Sequence, residues 1–319
     1  MFCSFSSSCG TFLKQDNMRA VLLAVALLVA CASAEFHLSR AITGVYYSKA
    51  AYCDHTTLND WSCSVCPHFP GVTNVSTHID LGHQSQGFVA YNPTDNEIVY
   101  AFRGTVNLDG WIEDFDFFQT PYNATNCTGC KVHEGLWWGY NALAVHLLPK
   151  LQELVYAYPS ADIFVTGHSM GAAQAGYAFL DVLQEIKGHT GKKRMYNFGC
   201  PRLGNPAFVA WADQVLEPHQ EHFRMTNFGD PVVHLPPIVF DEFGLGNWLH
   251  MPREVFFMNP FAPPQGGYKI CDGTVTHEDP TCADSTPWYD MIGFQNHTTY
   301  LDIGLGCFLG PAKGKSPFN

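Results

Sequence analysis

Short apolar segments alternate with stretches of helical periodicity along much of the chain. Residues 87–91 and 97–102 are rich in β-branched and aromatic side chains and flank an Asn-Pro-Thr-Asp-Asn turn sequence, which is typical of a β-hairpin. Apolar residues recur at close to helical spacing through residues 135–156, which predicts a helix there. Pro149 should kink or split that helix, because proline lacks a backbone donor and its ring crowds the preceding turn.

Strand and helix patterns continue to alternate in the second half. Strands are predicted at residues 162–166, 195–198 and 222–226, and a helix rich in small residues follows the first of them. Another helix should begin at Asn205 and Pro206, because asparagine supplies a capping side chain and proline suits the first helical position. This alternation predicts an α/β fold with a largely parallel central sheet and helices on both faces.

Length, composition and charge narrow the class of protein. The chain has 319 residues, of which 46% are hydrophobic, enough for one large α/β domain or at most two small ones. No period of 20–50 residues recurs, so the pattern does not favour a solenoid or propeller. The net charge is −12 and no cluster of Lys and Arg is present, so nucleic acid is not an expected partner.

The N-terminus has the pattern of a secretory signal peptide. Arg19 precedes an apolar run of about 13 residues, and small residues suited to a signal peptidase follow at positions 32–34. A membrane anchor is the alternative, but spanning a bilayer takes about 20 residues. We therefore expect a leader at residues 1–34, a single domain at residues 35–319 and no transmembrane segment. The mature protein should be secreted, or reside in the lumen of a digestive compartment.

The cysteines and sequons agree with export. Nine of the 12 cysteines follow the leader, which in an oxidising compartment predicts disulfides and one free thiol. Zinc binding is the alternative, because the Cys-x-x-Cys pairs at 63–66 and 127–130 have a ligand-like spacing. Glycosylation sequons begin at Asn74, Asn123, Asn126 and Asn296.

The sequence Gly167-His168-Ser169-Met170-Gly171 has the nucleophile-elbow pattern. A serine hydroxyl is a weak nucleophile unless a base removes its proton during attack. A tight strand-to-helix turn presents the hydroxyl above the sheet, and the glycines relieve crowding. The pattern alone is weak evidence, but an apolar strand precedes it and a small-residue helix follows.

Together with other motifs, the elbow resembles the class 3 lipases, a family of secreted fungal triacylglycerol lipases and feruloyl esterases. The resemblance extends from Tyr52 to Cys307 and implies an α/β-hydrolase fold. Met170 stands where the family usually has leucine, a residue of similar size. The motifs that carry the resemblance are Ala101-Phe-Arg-Gly-Thr105, Trp111-Ile-Glu-Asp114, Val132-His-Glu-Gly135, Val165-Thr-Gly-His-Ser-Met-Gly171, Pro201-Arg-Leu-Gly-Asn-Pro206, Asp230-Pro-Val-Val-His-Leu-Pro-Pro237 and His297-Thr-Thr-Tyr300.

The resemblance and the chain order predict the same catalytic triad. Ser169, Asp230 and His297 follow one another in the Ser–Asp–His order of α/β-hydrolases. Of 15 histidines, His297 is preferred because of its family position. His168 is too close to Ser169 in sequence to reach both Ser169 and Asp230, and His234 is expected to be a structural hydrogen-bonding residue. No metal-ligand spacing is convincing, so we expect no metal and no cofactor.

Two further groups of site residues are expected. The backbone N–H of Met170 should donate to the oxyanion, and the resemblance implies Thr105 as the second donor. Leu108, Trp111 and Ile112 share one side of a short amphipathic helix capped by Asn107. The resemblance implies that this helix is a lid over Ser169; the alternative is an ordinary surface helix.

Cysteine pairing follows from spacing and resemblance together. The family implies Cys53 with Cys307, Cys63 with Cys66, and Cys271 with Cys282. Proximity adds Cys127 with Cys130 and leaves Cys200 as a buried free thiol. We also expect sugar on one or both of Asn123 and Asn126. We expect none on Asn296, because a glycan there would crowd His297.

The sequence thus predicts a triacylglycerol lipase that acts on lipid esters at a lipid–water interface. A feruloyl esterase, a general carboxylesterase and a phospholipase of the same fold remain alternatives. A non-catalytic lipid-binding protein is an alternative of another class, which an intact triad argues against.

Overall fold

The structure is built around a central sheet. The computed structural model describes residues 35–108, 110, 116–219, 221–238, 247–259, 267–274, 276–291 and 294–307. The strands within these residues are β1 Thr73–Asp80, β2 Ser85–Asn92, β3 Glu97–Phe102, β4 Gln119–Pro121, β5 Lys131–His133, β6 Asp162–His168, β7 Lys193–Phe198, β8 His222–Asn227, β9 Glu254–Phe257, β10 Tyr268–Ile270, β11 Thr299–Tyr300 and β12 Ile303–Gly304. Eight of these described strands form one sheet in the order β1-β2-β3-β6-β7-β8-β9-β10.

The middle of this sheet is parallel and its edges are antiparallel. Strands β3, β6, β7, β8 and β9 pair in parallel, whereas β1–β2, β2–β3 and β9–β10 are antiparallel. The hairpin predicted from the turn sequence is confirmed, because β2 and β3 pair with Asn92 opposite Glu97. Two small antiparallel ladders, β4–β5 and β11–β12, lie outside the main sheet.

Helices pack on both faces of the sheet, as predicted. On one face the Thr166 hydroxyl lies 2.9 Å from that of Ser48, and Phe164 contacts Tyr47. On the other face the neighbouring residues Ile163 and Val165 join the large apolar cluster. The side chains of β6 therefore alternate between two helical layers. The helices in the described residues are α1 Leu38–Ala50, α2 His55–Asn59, α3 Glu134–Ala157, α4 Met170–Gln184, α5 Pro206–Leu216 and α6 Gln295–Thr298.

The helix ends show which local predictions hold. Asn205 caps α5 by accepting a hydrogen bond from the Phe208 N–H at 2.9 Å, with Pro206 in the first turn. The split expected at Pro149 is wrong, because α3 continues through this residue. Pro149 lies on the exposed side of α3, where water can bind the carbonyl of Val145 that loses its helical partner.

The cysteines are bonded as the sequence analysis proposed. The structure contains Cys53–Cys307, Cys63–Cys66, Cys127–Cys130 and Cys271–Cys282. Since the sulfurs of both Cys-x-x-Cys pairs are bonded to each other, these pairs offer no thiolates to zinc. Cys200 is free and buried, and burial raises its thiol pKa to about 12, which leaves it unreactive.

The leader predicted for residues 1–34 lies outside the described residues. In the parts of the chain that the structure describes, no helix combines the length and the apolar character needed to cross a bilayer. The elements above all belong to the compact unit His37–Asn319. The signal peptide and secretion stay predictions from the sequence.

Candidate active site

The turn between β6 and α4 presents Ser169. This residue has φ 61° and ψ −129°, a backbone conformation that non-glycine residues rarely adopt and that concentrates at functional sites. The Ser169 N–H donates to the Phe198 carbonyl of β7 at 2.9 Å, which fixes the turn against the sheet. A Cβ on Gly167 would lie 2.1 Å from the Gly171 carbonyl oxygen. The tight turn therefore requires glycine at this position, as the elbow pattern implies.

His297 and Asp230 form a fully buried pair. The Nδ1 atom of His297 lies 2.9 Å from Asp230 Oδ2 and 3.0 Å from Oδ1, and both side chains have no exposed surface. The hydroxyl of Tyr300 donates to Asp230 Oδ2 at 2.6 Å. The Val232 N–H donates to Oδ1 at 2.9 Å. Asp230 is thus held from three directions.

These contacts set the ionisation of Asp230. Burial alone would raise its pKa, but the facing His297 and the hydrogen bonds from His297, Tyr300 and Val232 together hold the pKa below its usual value. An ionised carboxylate is only an acceptor. The Nδ1 atom of His297 must therefore donate to it, which leaves Nε2 as the nitrogen that can take up a proton.

Ser169 and His297 face the same cavity. The hydroxyl of Ser169 and Nε2 of His297 are both buried, and neither has a hydrogen-bond partner among the described residues. Both residues line a cavity of about 310 Å³. Its walls are mainly apolar, and they include Val106, Leu108 and Leu305. The proposed nucleophile and the proposed base therefore line one cavity that suits an apolar ligand.

The residues expected to bind the oxyanion lie beside Ser169. Thr105 follows β3 and lines the same cavity; its hydroxyl interacts with the backbone of Asn107, at 3.3 Å from the nitrogen and 3.4 Å from the oxygen. Met170 is the first residue of α4, where backbone N–H groups lack partners within the helix. The structure therefore brings both expected donor residues to the nucleophile.

Sequence reasoning missed the role of His168. Its Nε2 atom lies 2.8 Å from the His297 carbonyl oxygen, and its Nδ1 atom lies 2.7 Å from the Tyr52 hydroxyl. Because a carbonyl only accepts, Nε2 carries the proton and Nδ1 accepts from Tyr52. Burial lowers the pKa of His168 well below its usual value, so the ring is neutral. The only sequence signal was its place beside Ser169 in the elbow.

Gly199 was also missed, although it lies beneath the His297–Asp230 pair. Its φ is +61°, and a Cβ there would lie 2.9 Å from Cε1 and Nδ1 of His297 and 3.1 Å from Asp230 Oδ2. His234, the other histidine considered from the sequence, does not belong to this pair. Its Nδ1 atom lies 3.7 Å from Asp284. It therefore does not compete with His297 for Asp230.

The predicted lid falls mostly outside the described residues. Leu108 is described and lines the cavity, and the Asn107 side chain accepts a hydrogen bond from the Gly110 N–H at 3.3 Å, as a capping residue would. Trp111 and Ile112 are not described, so the lid stays a prediction. Among the described residues, Glu254, Cys271 and Cys282 group their ligand atoms closely enough for a metal, but both sulfurs are bonded to each other.

Comparison with known proteins agrees with this geometry. A model of the family "Lipase (class 3)" matches residues 99–240. A secreted mono- and diacylglycerol lipase of Fusarium solani is 31% identical over 273 residues, which cover 82% of this chain and 75% of that protein. A lipase of Rhizopus niveus is 29% identical over 266 residues, and this chain spans 63% of its length.

A solved structure gives the same result for the fold. Lipase II from Rhizopus niveus superposes with a TM-score of 0.73 at 26% identity, covering 86% of this chain and 98% of that one. Its fold and the parallel sheet described above agree with the α/β-hydrolase architecture predicted from the sequence. On these similarities, the chain belongs to the class 3 lipase family.

Proposed function

We propose that this protein hydrolyses lipid esters, with Ser169 as nucleophile, His297 as general base and Asp230 as the residue that orients His297. One observation carries the proposal. The Ser169 hydroxyl and Nε2 of His297 are both buried, have no hydrogen-bond partner among the described residues, and belong to residues that line one apolar cavity. The opposite nitrogen of His297 is held by an ionised carboxylate, which is the arrangement that activates a serine.

The reaction follows from these roles. Oγ of Ser169 attacks the ester carbonyl carbon while Nε2 of His297 takes the hydroxyl proton. Asp230 stabilises the imidazolium that forms. The carbonyl oxygen becomes an anion, for which the backbone N–H groups of Met170 and Thr105 are the proposed donors. One such donor typically contributes about 3–4 kcal/mol to lowering the barrier.

The intermediate then collapses in two stages. His297 gives its proton to the departing alkoxide, so the alcohol leaves and the acyl group stays on Ser169. A water molecule then attacks the acyl carbon while His297 takes its proton. The bond from that carbon to Oγ breaks, Oγ of Ser169 receives the proton from His297, and the fatty acid leaves. The Thr105 hydroxyl is engaged with Asn107 in this structure, so we assign its backbone N–H, rather than the hydroxyl, as the oxyanion donor.

The names of the relatives favour acylglycerols as the substrates of this protein. The Fusarium solani relative is named for activity on mono- and diacylglycerols, and it is also named as secreted. The apolar walls at Val106, Leu108 and Leu305 suit an acyl chain. A solved structure at 26% identity and a TM-score of 0.69 is that of a triacylglycerol lipase. We infer a secreted enzyme that acts on triacylglycerols, with partial glycerides as the second candidate class.

One set of assays tests this proposal. Fatty acid release is measured from emulsified tri-, di- and monoacylglycerols, a phospholipid, a soluble short-chain ester and a feruloyl ester. We expect the acylglycerols to be turned over fastest, and Ser169→Ala and His297→Ala each to lower kcat by orders of magnitude. The double variant should lose little more, because these residues act as a unit. Losses that multiply, or turnover of the feruloyl ester alone, would contradict the proposal.

A further inference from the structure

A groove lies beside the edge strand β1, on residues that take no part in the active site. It has a volume of about 520 Å³ and runs between β1 and the C-terminal end of α3. Small-molecule sites in proteins commonly have volumes of about 300–1,000 Å³. The residues that line the groove include Asn74, Ser76, Lys150, Glu153, Leu154 and Tyr158. No step of the proposed hydrolysis uses them.

Asn74 stands at the mouth of this groove and begins the sequon Asn74-Val75-Ser76. Its side chain is exposed, and its φ of +53° coincides with the irregular pairing between Thr73 and Ser76 of β1. Nδ2 of Asn74 donates to the hydroxyl of Tyr158 at 3.2 Å. The amide nitrogen that a transferase would modify is therefore accessible and is oriented along the groove.

We propose that Asn74 carries an N-linked glycan whose first N-acetylglucosamine lies in this groove. The sugar donor is a polyprenyl-diphosphate oligosaccharide of the secretory pathway that the leader predicts. Nδ2 of Asn74 attacks the anomeric carbon of the donor, the bond from that carbon to the diphosphate oxygen breaks, and the amide loses one proton. The remaining N–H of Nδ2 is sufficient to keep the hydrogen bond to Tyr158.

The groove has the chemistry that a sugar needs. Leu154 provides an apolar floor for the acetamido methyl and the C–H face of the ring. Lys150 and Glu153 form a rim pair at 2.9 Å, whose charged groups suit sugar hydroxyls. The Tyr158 ring is held in place because it stacks on Tyr91 at a centroid distance of 3.6 Å and an angle of 7°. The site is thus positioned by the fold.

Asn296 also begins a sequon, but its surroundings are poorly suited to a glycan. It is only half exposed, it precedes the buried His297, and its carbonyl accepts a hydrogen bond from Asn227 at 2.9 Å. A glycan on this residue would stand directly next to His297, which lines the active-site cavity. Exposure and an adjoining groove therefore favour Asn74 and disfavour Asn296.

The test uses the full chain secreted from a eukaryotic host. Ser76→Thr keeps the sequon and Ser76→Ala removes it, so the pair differs little except in glycosylation. Peptide mass spectrometry measures occupancy at Asn74. An endoglycosidase that leaves one N-acetylglucosamine then separates the first sugar from the rest of the glycan. Thermal unfolding and amide exchange of residues 150–158 are compared among these forms, with ester hydrolysis assayed in parallel.

We expect Asn74 to be occupied in the wild type and in Ser76→Thr. The form with a single sugar should keep the full Tm, whereas Ser76→Ala should unfold about 2–4 °C lower and exchange amides faster at residues 150–158. If Asn74 is unmodified, the proposed glycosylation site is wrong. If the single-sugar form has the same Tm and the same amide exchange as Ser76→Ala, the first N-acetylglucosamine does not lie in the groove. Since ester hydrolysis is read separately, neither result bears on the proposed function.

Discussion

The Nε2 atom of His168 lies 2.8 Å from the backbone oxygen of His297. The residue before the proposed nucleophile therefore holds the main chain of the proposed base, across 129 positions of sequence. The Tyr52 hydroxyl fixes the other nitrogen of His168 at 2.7 Å, and it lies against Gly104, next to Thr105. His168 and Tyr52 thus link the proposed base to the segment that carries a proposed oxyanion donor.

This link predicts that His168 is a positioning residue. In His168→Gln the amide nitrogen occupies nearly the place of Nε2 and can still donate to His297. In His168→Asn the shorter side chain can still contact Tyr52, but it does not reach the backbone oxygen of His297. We expect kcat on a soluble ester to fall about tenfold in His168→Asn, which corresponds to about 1.4 kcal/mol, and less than about threefold in His168→Gln, with KM unchanged in both. Equal kcat in two folded variants would contradict this role.

Gly199 should be essential to the geometry of the pair above it. Gly199→Ala places a Cβ 2.9 Å from the His297 ring and strains a backbone with φ +61°, so we expect kcat to fall at least about 100-fold. Gly188→Ala is the matched control. It has a similar strain at φ +74°, but its Cβ would meet only Tyr156 at 3.7 Å. Both variants should lose about 1–2 kcal/mol of stability. Full activity in Gly199→Ala would refute the prediction.

His133 should make stability depend on pH. Burial lowers its pKa to about 4, whereas the unfolded chain titrates near 6.5. Between these values the unfolded state binds more protons, so the free energy of unfolding falls as pH decreases from about 6.5 to 4. One such group contributes up to about 1.4 kcal/mol per pH unit.

His133→Asn isolates this contribution. His133 caps α3, because its Nδ1 atom accepts a hydrogen bond from the Leu136 N–H at 3.4 Å. Asparagine can also cap a helix but does not titrate, so the stability of the variant should fall less steeply over the same range. Urea unfolding at several pH values measures both slopes, and His55→Asn, at an exposed position, serves as control. Parallel curves for the wild type and His133→Asn would show that His133 does not carry the effect.

The Cys53–Cys307 bridge should be the most stabilising of the four. It joins residues 254 apart, whereas Cys63–Cys66 joins residues three apart. In the chain-entropy account, loss of the long loop costs about 5 kcal/mol and loss of the short one under about 2 kcal/mol. Double Cys→Ser variants of each pair, unfolded in urea, test this difference. Equal losses would contradict the entropic origin.

The sequence predicted features that depend on local pattern. The hairpin of β2 and β3, the elbow around Ser169 and the cap at Asn205 each follow from a few adjacent residues. Of the kink or split predicted at Pro149, the split was wrong, because a local rule does not show which side of α3 faces water. Packing of Leu147 and Leu151 on the opposite side keeps the helix intact.

The contacts that orient the proposed triad were not predictable in the same way. Tyr300 donates to Asp230 across 70 positions, and His168 to His297 across 129. His168 and Asp230 come at or just after the carboxyl ends of the parallel strands β6 and β8, which meet at one edge of the sheet. His297 and Tyr300 reach this edge from α6 and β11, outside the main sheet. Gly199 gave no sequence signal, since its importance lies in the space that the His297 ring occupies.

Covalent labelling tests the central claim most directly. A p-nitrophenyl alkylphosphonate is attacked by an activated serine and stays bound to it, and peptide mass spectrometry locates the adduct. We expect one equivalent per chain, all of it on Ser169, with esterase activity lost in proportion and with labelling abolished in His297→Ala. An adduct on another residue, or full activity in the Ser169-labelled protein, would contradict the account.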